Sequence, residues 1–295
     1  MTTTRTTTRD DLTGRVALVT GGGRGIGRAI AFSLAAAGAS VAVMARSTNQ
    51  VAETAKLIDA AGAYSLPLSA DVTDLQAVGH AVERIEQWLG PIDILVNNAA
   101  LSGPIGPLWE IDAHEWMRTM DVNMRGTFIC ARAVLPSMVA RRRGCIVNLA
   151  SSAGAHRWPQ VSAYAVSKAA VIKFTENLAV ETRHSGVAVF AVHPGTVPVG
   201  MTEDVLSADV PDDSPAGQVA NWFRQQFDQG RGVPPERAGD LAMTLASGRA
   251  DALSGRYLTV YDDVEELIER AAEIRRDDLY TLRLREVTPG ARQAA

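Results

Sequence analysis

Two side chains four residues apart, Tyr164 and Lys168, carry the clearest chemical signal in this 295-residue chain. On a helix, residues at this spacing project from the same face. A phenol with a pKa of about 10 is a poor acid or base at neutral pH unless a nearby cation stabilises its phenolate. Lys168 can supply that cation, although a tyrosine and a lysine at this spacing are also common as an incidental surface pair. The pair predicts proton transfer only if other features place it beside a reacting group.

A glycine-rich run, Gly21-Gly22-Gly23-Arg24-Gly25-Ile26-Gly27, supplies such a feature. The run follows an apolar segment that ends at Thr20 and precedes a segment with helical spacing. Glycines let a chain turn tightly and bring its N–H groups close to a pyrophosphate, and the helix N-terminus adds positive potential. Because it stands between a strand and a helix, the run predicts a dinucleotide-binding turn rather than a purely structural one.

The residue that follows the second strand-like segment indicates which dinucleotide is bound. NAD-binding proteins place an acid about 20 residues after the glycine turn, where it meets the ribose hydroxyls. Here the position holds Ala45, followed by Arg46, and a guanidinium can form a bidentate pair with a 2′-phosphate. Arg24 can add a second cation on the same side. We therefore expect a preference for NADP(H), with NAD(H) still possible if Arg46 is only a solvated loop residue.

These residues need a scaffold, and apolar runs of strand length alternate with helical segments from residue 15 to about 260. The strand candidates are 15–20, 40–45, 64–70, 92–97, 144–150, 187–193 and 256–260, and the helix candidates are 25–37, 48–61, 74–89, 113–141, 161–185 and 235–247. Strands that are apolar on both faces require a parallel sheet covered by helices on each side. The sequence predicts a doubly wound, Rossmann-like α/β domain with seven parallel strands. The strand number and the glycine turn argue against an eight-fold β/α barrel.

The domain is expected to span residues 13–261, after a flexible Thr- and Arg-rich tail at 1–12. Residues 196–234 interrupt the alternation with a long irregular stretch around Trp222, Phe223 and Phe227. We expect this stretch to be a lid over the substrate, with a plain surface excursion as the alternative. Apolar side chains at helical spacing in 262–278 predict a helical C-terminal extension, 262–295, that packs on the body or on another subunit.

Composition excludes several classes of protein. Hydrophobic residues make up 46% of the chain and charged residues 21%, and the net charge of −4 gives no electrostatic reason to expect nucleic acid or an anionic membrane as partner. No apolar stretch reaches the roughly 18 residues of a membrane span, and the first twelve residues lack the apolar core of a secretory signal. We therefore expect a cytoplasmic protein. Cys130 and Cys145 are expected to be buried thiols, and no metal site is expected.

The chain also resembles the short-chain dehydrogenase/reductase family, over residues 12 to about 260. The motifs that carry the resemblance are TGGGRGIG at 20–27, ADV at 70–72, NNAA at 97–100, DVNMRGTF at 121–128, SS at 151–152, YAVSK at 164–168 and HPG at 193–195. The resemblance implies hydride transfer between a nicotinamide cofactor and a small alcohol or carbonyl substrate. It also implies a homodimer or homotetramer, although the departure from the family pattern at Tyr261-Asp262-Asp263 puts the tetramer in doubt.

The resemblance assigns roles to four side chains. Tyr164 is the acid/base, and Lys168 lowers its pKa and bonds the nicotinamide ribose. Ser151 orients and polarises the substrate carbonyl, and Asn123 holds a water in a proton relay. A pair of hydroxyls meeting the charge that develops on the carbonyl oxygen is also sound chemistry without the family name. The expected cofactor-binding residues include the two arginines above. They are Gly21, Gly23, Arg24, Gly25, Ile26, Gly27, Arg46, Asp71, Val72, Asn98, Ala99, Tyr164, Lys168, Pro194 and Gly195.

Other positions bear on the nicotinamide end and on the substrate. Val199 stands where the family often has a threonine that bonds the carboxamide, and Thr196, Thr202 or main-chain groups are the candidates to replace it. The segment between Ser151 and Tyr164 puts His156, Arg157 and Trp158 beside the expected pocket, with Leu101 and Trp222 facing it. Arg157 is a candidate partner for an anionic substrate group, or a surface guanidinium.

Two other functions use the same fold. One is a sensor that binds NADP(H) without turnover, and the presence of all four candidate catalytic residues argues against it. The other is an isomerase or dehydratase with bound cofactor. Such relatives usually have a different glycine spacing and a larger C-terminal domain, whereas only about 35 residues follow the last expected strand here.

Overall fold

The computed structural model describes residues 11–284, and within them seven strands form one parallel sheet. The strands are β1 (Val16–Thr20), β2 (Ser40–Ala45), β3 (Ser65–Ser69), β4 (Ile94–Asn97), β5 (Gly144–Leu149), β6 (Val187–His193) and β7 (Tyr257–Thr259). Their order across the sheet is β3-β2-β1-β4-β5-β6-β7. The chain moves outward from β1 to β3 and then returns to the other side of β1 at β4. The predicted doubly wound fold is confirmed, with its ligand crevice at the carboxyl ends of β1 and β4.

The helices are α1 (Gly25–Ala36), α2 (Thr48–Ala60), α3 (Leu75–Trp88), α4 (Ala113–Met120), α5 (Gly126–Arg141), α6 (Ser152–Ala155), α7 (Ser162–Thr182), α8 (Met201–Ser207), α9 (Pro215–Asp228), α10 (Glu236–Ala246), α11 (Val264–Glu269) and α12 (Ala271–Arg276). A π-helical turn, Asp121–Arg125, joins α4 to α5. The single helix expected over 113–141 is therefore wound differently at its centre, where Asn123 lies.

The sheet separates two layers of apolar side chains. Ala17 and Val19 of β1 pack with α1 and α10, whereas Val16 and Leu18 pack with α3 and α5 on the opposite face. All five residues of β1 are buried. Successive residues of a strand point to opposite faces, so a central strand covered on both sides is apolar at nearly every position. In β1 the exception is Thr20, at the carboxyl end. This layering fixes the carboxyl ends of the strands and therefore the loops that carry the site.

At the N-terminus, the ordered core begins inside the segment expected to be a flexible tail. Leu12 is fully buried, and its N–H donates to the carbonyl of Ala37 at 2.8 Å. The remainder of that expected tail, residues 1–10, lies outside the described residues.

The segment expected to form the lid contains two helices, α8 and α9, rather than irregular chain throughout. The hydroxyl of Ser214 accepts a hydrogen bond from the N–H of Gly217 at 3.0 Å, and Pro215 occupies the first turn of α9. A serine cap followed by proline is a helix-start signal. The high content of Pro, Gly, Asp and Ser masked this signal in the sequence.

The C-terminal extension forms two six-residue helices, α11 and α12, instead of one helix over 262–278. Leu267, Ala271 and Ile274 are buried in the same apolar layer as α1 and α10, so the described part of the extension packs on the body of the same chain. Beyond α12 the carbonyl of Tyr280 accepts a hydrogen bond from the N–H of Tyr257 at 2.9 Å. Residues 285–295 of the expected extension lie outside the described residues.

Cys130 and Cys145 are both buried, as expected, and burial raises the pKa of each thiol, that of Cys130 to about 12. Within residues 11–284, no helix is both long enough and apolar enough to cross a bilayer. The same residues contain no group of three or more His, Cys, Asp or Glu side chains placed to hold a metal ion.

Candidate active site

A cleft of about 520 Å³ lies at the carboxyl edge of the sheet, between the glycine turn and the helices α8 and α9. All the expected catalytic and cofactor-binding residues except Asn123 line this cleft. The topology explains the convergence, because the loops that follow β1, β2, β3, β4, β5 and β6 all meet at this edge.

The glycine turn takes the close path that its composition predicts. Gly21 and Gly25 have φ values of 64° and 56°, in the left-handed region that favours glycine. A Cβ on Gly21 would lie 2.7 Å from Nδ2 of Asn98. No side chain within residues 11–284 caps the start of α1, so its first N–H groups face the cleft without a side-chain acceptor. These groups fit a bound phosphate.

Residues outside the turn hold it in shape. The Nδ2 of Asn98 donates to the carbonyl of Thr20 at 2.9 Å, and the Thr20 hydroxyl accepts from the N–H of Asn98 at 3.0 Å and of Ala99 at 3.1 Å. Asn98 and Ala99 also line the cleft, and their expected contact with the cofactor stays a prediction. The Asn98 side chain acts on the turn itself.

Two further supports were missed by the sequence analysis. Arg28 Nη2 and the hydroxyl of Thr54 donate to the carbonyl of Gly23 at 2.7 and 3.1 Å. Arg28 stands one turn into α1, from which a long donor can reach back, so its position was a usable signal. Thr54 lies on α2, and no local spacing in the sequence could reveal its contact with the turn.

The two candidate phosphate-binding arginines differ in their partners. Arg46 is exposed on the cleft wall and makes no ion pair with any residue in 11–284. Arg24 instead pairs with Asp204 of α8, with Nη1 2.8 Å from Oδ1. This pair raises the pKa of Arg24 and lowers the pKa of Asp204, through the hydrogen bond between the two side chains. Arg46 is thus open to an incoming anion, whereas Arg24 is engaged.

Asp71 follows β3 and lines the cleft together with Arg46. Its carboxylate accepts hydrogen bonds from the N–H and the hydroxyl of Thr73, both at 2.8 Å. Burial raises the pKa of Asp71, but these bonds and the charges of Arg46 and Arg118 outweigh it, so the pKa lies below its ordinary value. Asp71 is therefore ionised at neutral pH.

The catalytic candidates meet at the centre of the cleft. The Nζ of Lys168 lies 5.7 Å from the centre of the Tyr164 ring and donates to the carbonyl of Leu149 at 2.6 Å. Burial lowers the pKa of Lys168 to about 8. Burial also raises the pKa of Tyr164, and a hydrogen bond with Ser151 opposes that rise without cancelling it. The phenol pKa therefore lies above its ordinary value because of burial, and the expected lowering by Lys168 stays a prediction.

Ser151 owes its position to a close contact between two helices. It caps α6, where its hydroxyl accepts from the N–H of Ala153 at 3.2 Å, and it is buried. Gly154 lets α6 approach α7, because a Cβ at that position would lie 2.5 Å from the carbonyl carbon of Lys168. The approach keeps the Ser151 hydroxyl beside the phenol of Tyr164.

Asn123 lies behind the cleft rather than on its wall. Its Nδ2 donates to the carbonyl of Leu101 and to the hydroxyl of Ser167, each at 2.9 Å, and its Oδ1 accepts from the N–H of Leu101 at 2.7 Å. The side chain thereby joins the loop after β4 to α7. The water relay expected for Asn123 stays a prediction.

At the far end of the cleft, Trp158, Trp222 and Leu101 line the wall, as expected, and Phe223 joins them. His156 and Arg157 are exposed and do not line the cleft, since the chain turns inward only at Trp158. The expected pairing of Arg157 with a substrate anion therefore has no support in this geometry.

The third aromatic residue of the expected lid, Phe227, packs away from the cleft. A Cβ on Gly232 would lie 2.6 Å from its ring. Val199, Thr196 and Thr202 all line the cleft, so two hydroxyls are available near the apolar residue that stands in the place of the expected threonine.

Comparison with known proteins agrees with this geometry. The family model described as short chain dehydrogenase matches residues 15–209. The short chain dehydrogenase mpl6 of Monascus purpureus is 38% identical over 279 residues, which cover 92% of this chain and 89% of that protein. The 2-(S)-hydroxypropyl-CoM dehydrogenase 3 of Xanthobacter autotrophicus is 34% identical over 250 residues, with 84% of this chain and 96% of that protein covered.

Among solved structures, one similar to this chain is a gluconate 5-dehydrogenase from Burkholderia cenocepacia in complex with NADP and tartrate. Its TM-score is 0.76 at 30% identity, over 85% of this chain and 95% of that one.

Proposed function

The chain belongs to the short-chain dehydrogenase/reductase family, and from that premise we propose that it transfers hydride between NADP(H) and the carbonyl carbon of a ketone or the matching alcohol. One observation carries the proposal. The hydroxyls of Tyr164 and Ser151 and the ammonium of Lys168 share a cleft with an uncapped, glycine-rich helix start. A bound nicotinamide supplies or accepts the hydride.

The side chains of this chain handle the proton. In reduction, the Tyr164 hydroxyl donates its proton to the carbonyl oxygen as negative charge develops there, and the Ser151 hydroxyl donates a hydrogen bond to the same oxygen. The phenolate that remains is favoured by the ammonium of Lys168, which is buried nearby. In alcohol oxidation the same groups act in reverse, with the phenolate as the base.

The choice of NADP(H) rests on Arg46. An exposed guanidinium on the cleft wall, without an ion-pair partner among residues 11–284, can form a bidentate pair with a 2′-phosphate. A structural neighbour of related fold is bound to NADP, which supports the choice of cofactor. The neighbouring carboxylate of Asp71 is already bonded to Thr73.

The following experiment tests both parts of the proposal. Nicotinamide absorbance is followed with a panel of ketones and alcohols in the presence of each cofactor, and dissociation constants are measured by calorimetry. We expect turnover, and a dissociation constant for NADPH about tenfold below that for NADH. Arg46→Ala removes the difference, and Arg84→Ala, an exposed arginine on α3, preserves it. Equal constants for the two cofactors in the wild type contradict the NADP preference.

We also propose that two or four copies associate in the cytoplasm. Phe128 and Val139 on α5 and Val166 and Val180 on α7 are large apolar side chains exposed to solvent in the single chain. Apolar surface on helices of this kind is stabilised by contact with another subunit. Light scattering in solution tests the proposal, and the mass of a single chain contradicts it.

A further inference from the structure

The charged residues that line the cleft are unevenly placed. Among residues 11–284 these are Arg24 after β1, Arg46 after β2, Asp71 after β3, and Lys168 beside the reacting tyrosine. The lining residues beyond Tyr164, toward α8 and α9, include no side chain that is charged at neutral pH. His193 lines that region, and burial lowers its pKa to about 4, so its imidazole is neutral there.

Three aromatic rings form the wall at this uncharged end, and we refer to Trp158, Trp222 and Phe223 as the aromatic cluster. The ring centres of Trp158 and Trp222 are 5.0 Å apart, those of Trp222 and Phe223 are 5.0 Å apart, and those of Trp158 and Phe223 are 5.9 Å apart. The interplanar angles of 53°, 76° and 65° correspond to tilted and edge-to-face contacts. Such contacts leave ring faces available to a further aromatic group.

The aromatic cluster joins two separate elements. Trp158 lies in the loop after α6, and Trp222 and Phe223 lie on α9. Gln160 ties the elements together, since its Nε2 donates to Oε1 of Gln218 on α9 at 3.3 Å and its carbonyl accepts from the N–H of Gly106 at 2.8 Å. The loop that carries Trp158 is therefore bonded to α9, the helix that carries Trp222 and Phe223.

Further apolar residues line the cleft, namely Leu101, Ile105, Val161 and Val219, with the hydroxyl of Ser102 among them. Trp222 lines the cleft, and 38% of its surface is exposed to solvent. A large aromatic surface left partly open at this position is covered when a ligand of similar character binds.

Resting on the hydride transfer proposed above, we propose that the substrate is an uncharged ketone, or the matching secondary alcohol, whose aromatic ring packs on Trp158, Trp222 and Phe223. Stacking and burial of that ring favour binding. A carboxylate would lose its hydration at this wall without a charged partner, which disfavours it.

Three methyl ketones that differ only in the terminal group test this inference: butanone, benzylacetone and laevulinate. They share the unit CH3–CO–CH2–CH2 and carry at its end a hydrogen, a phenyl ring and a carboxylate, respectively. With the full chain and saturating NADPH, we expect kcat/KM for benzylacetone to exceed that for each of the other two by about tenfold or more. Calorimetry of the protein with NADP gives the dissociation constant of each ketone independently of turnover.

Variants then locate the effect. Trp222→Ala and Trp158→Ala should bring the ratio of kcat/KM for benzylacetone over butanone down to within about threefold of unity, mainly through KM. Trp222→Phe should restore much of the ratio. Trp109→Ala, which removes an exposed tryptophan that does not line the cleft, should leave the ratio unchanged.

The outcomes separate the two proposals. Turnover with a preference for butanone or laevulinate, or a benzylacetone preference that survives both alanine variants, overturns the aromatic-substrate inference and leaves hydride transfer intact. If none of the three ketones is reduced, the proposed function fails for this substrate class, and calorimetry decides the inference. A dissociation constant for benzylacetone that Trp222→Ala raises about tenfold supports it, and an unchanged constant or absent binding overturns it.

Discussion

The ammonium of Lys168 lies 5.7 Å from the centre of the Tyr164 ring and donates a hydrogen bond of 2.6 Å to the carbonyl oxygen of Leu149 at the end of β5. The hydrogen bond to Leu149 anchors the ammonium to the sheet, and helix α7 carries both members of the pair. The phenol therefore faces a cation whose position is set by the core of the fold.

This arrangement predicts a pH dependence. Burial lowers the pKa of Lys168 to about 8, so the ammonium is present below that pH and is lost above it. We expect kcat/KM for ketone reduction to fall as the pH rises through about 8, because the phenolate left after proton donation loses its stabilising charge. Lys56→Ala, at an exposed lysine of α2, should give the same profile. A profile that is flat between about pH 7 and 9 contradicts the assignment.

The ion pair between Arg24 and Asp204 joins the glycine turn to helix α8 of the lid. Both side chains are about half exposed, so the pair adds roughly 1 kcal/mol or less to stability. Arg24 cannot bond Asp204 and a phosphate equally well. We therefore expect Asp204→Ala to lower the dissociation constant of NADPH about threefold, with little change in Tm.

Glu203→Ala provides the matched control for that prediction. Glu203 is the exposed neighbour of Asp204 on α8 and acts on Arg24 through charge alone. It should change the dissociation constant less than Asp204→Ala does. Weaker NADPH binding by Asp204→Ala would show that the ion pair supports the bound state instead.

Gly154 permits the contact between α6 and α7 that places Ser151. A Cβ there would lie 2.5 Å from the backbone of Lys168, so Gly154→Ala must separate the two helices. We expect turnover to fall about 100-fold, because displacement of a catalytic group by about 1 Å has effects of that size.

The control is Gly79→Ala on α3, where a Cβ meets nothing within 4 Å. That change should raise stability by about 0.5–1 kcal/mol and leave turnover unaltered. Retained turnover in Gly154→Ala argues against the positioning role.

The end of the described chain is fastened to the helix that carries the catalytic pair. The Nη1 of Arg283 lies 2.6 Å from Oε2 of Glu176 on α7, and the N–H of Leu282 donates to Oε1 at 2.7 Å. Burial raises the pKa of Glu176, but the hydrogen bonds from Lys173, Arg283 and Leu282 lower it by more than burial raises it. The pKa of Glu176 therefore lies below its ordinary value.

A carboxylate whose pKa is lower in the folded than in the unfolded state stabilises the folded state at pH values above its unfolded-state pKa. That contribution is lost as the pH falls through its folded-state pKa. We expect Arg283→Ala to reduce the free energy of unfolding by about 1 kcal/mol at neutral pH, and by less as the medium is acidified below about pH 4.5. Thermal melts of Arg283→Ala and of Arg276→Ala, at an exposed arginine that pairs with its neighbour Asp277, measure the difference. Equal melting temperatures at neutral pH contradict the role of the contact.

Much of the fold could be predicted because its elements are set by local patterns. The seven apolar runs mark strands, and the glycine turn marks the junction of β1 and α1. Boundaries that depend on caps were less clear, as at Ser214, where a start signal stood inside a segment of loop-like composition.

The site was predictable to the extent that its residues follow the ends of strands. The pairing of Arg24 with Asp204 joins positions 180 residues apart, and no spacing rule reveals it. The same holds for the bond from Thr54 to Gly23 and for the aromatic cluster, whose members come from different elements. The pKa of Tyr164 also depends on burial, which the sequence pattern does not quantify.

The most direct test of the account is the turnover of Tyr164→Phe, measured together with the dissociation constant for NADPH. The substitution removes only the hydroxyl, so the ring still fills its place beside Lys168. We predict a loss of turnover of about 100-fold or more, because general acid–base catalysis contributes that much, with cofactor affinity within about threefold of the wild type. Turnover equal to the wild type, with the cofactor bound as before, would contradict the assignment of Tyr164 as the group that transfers the proton.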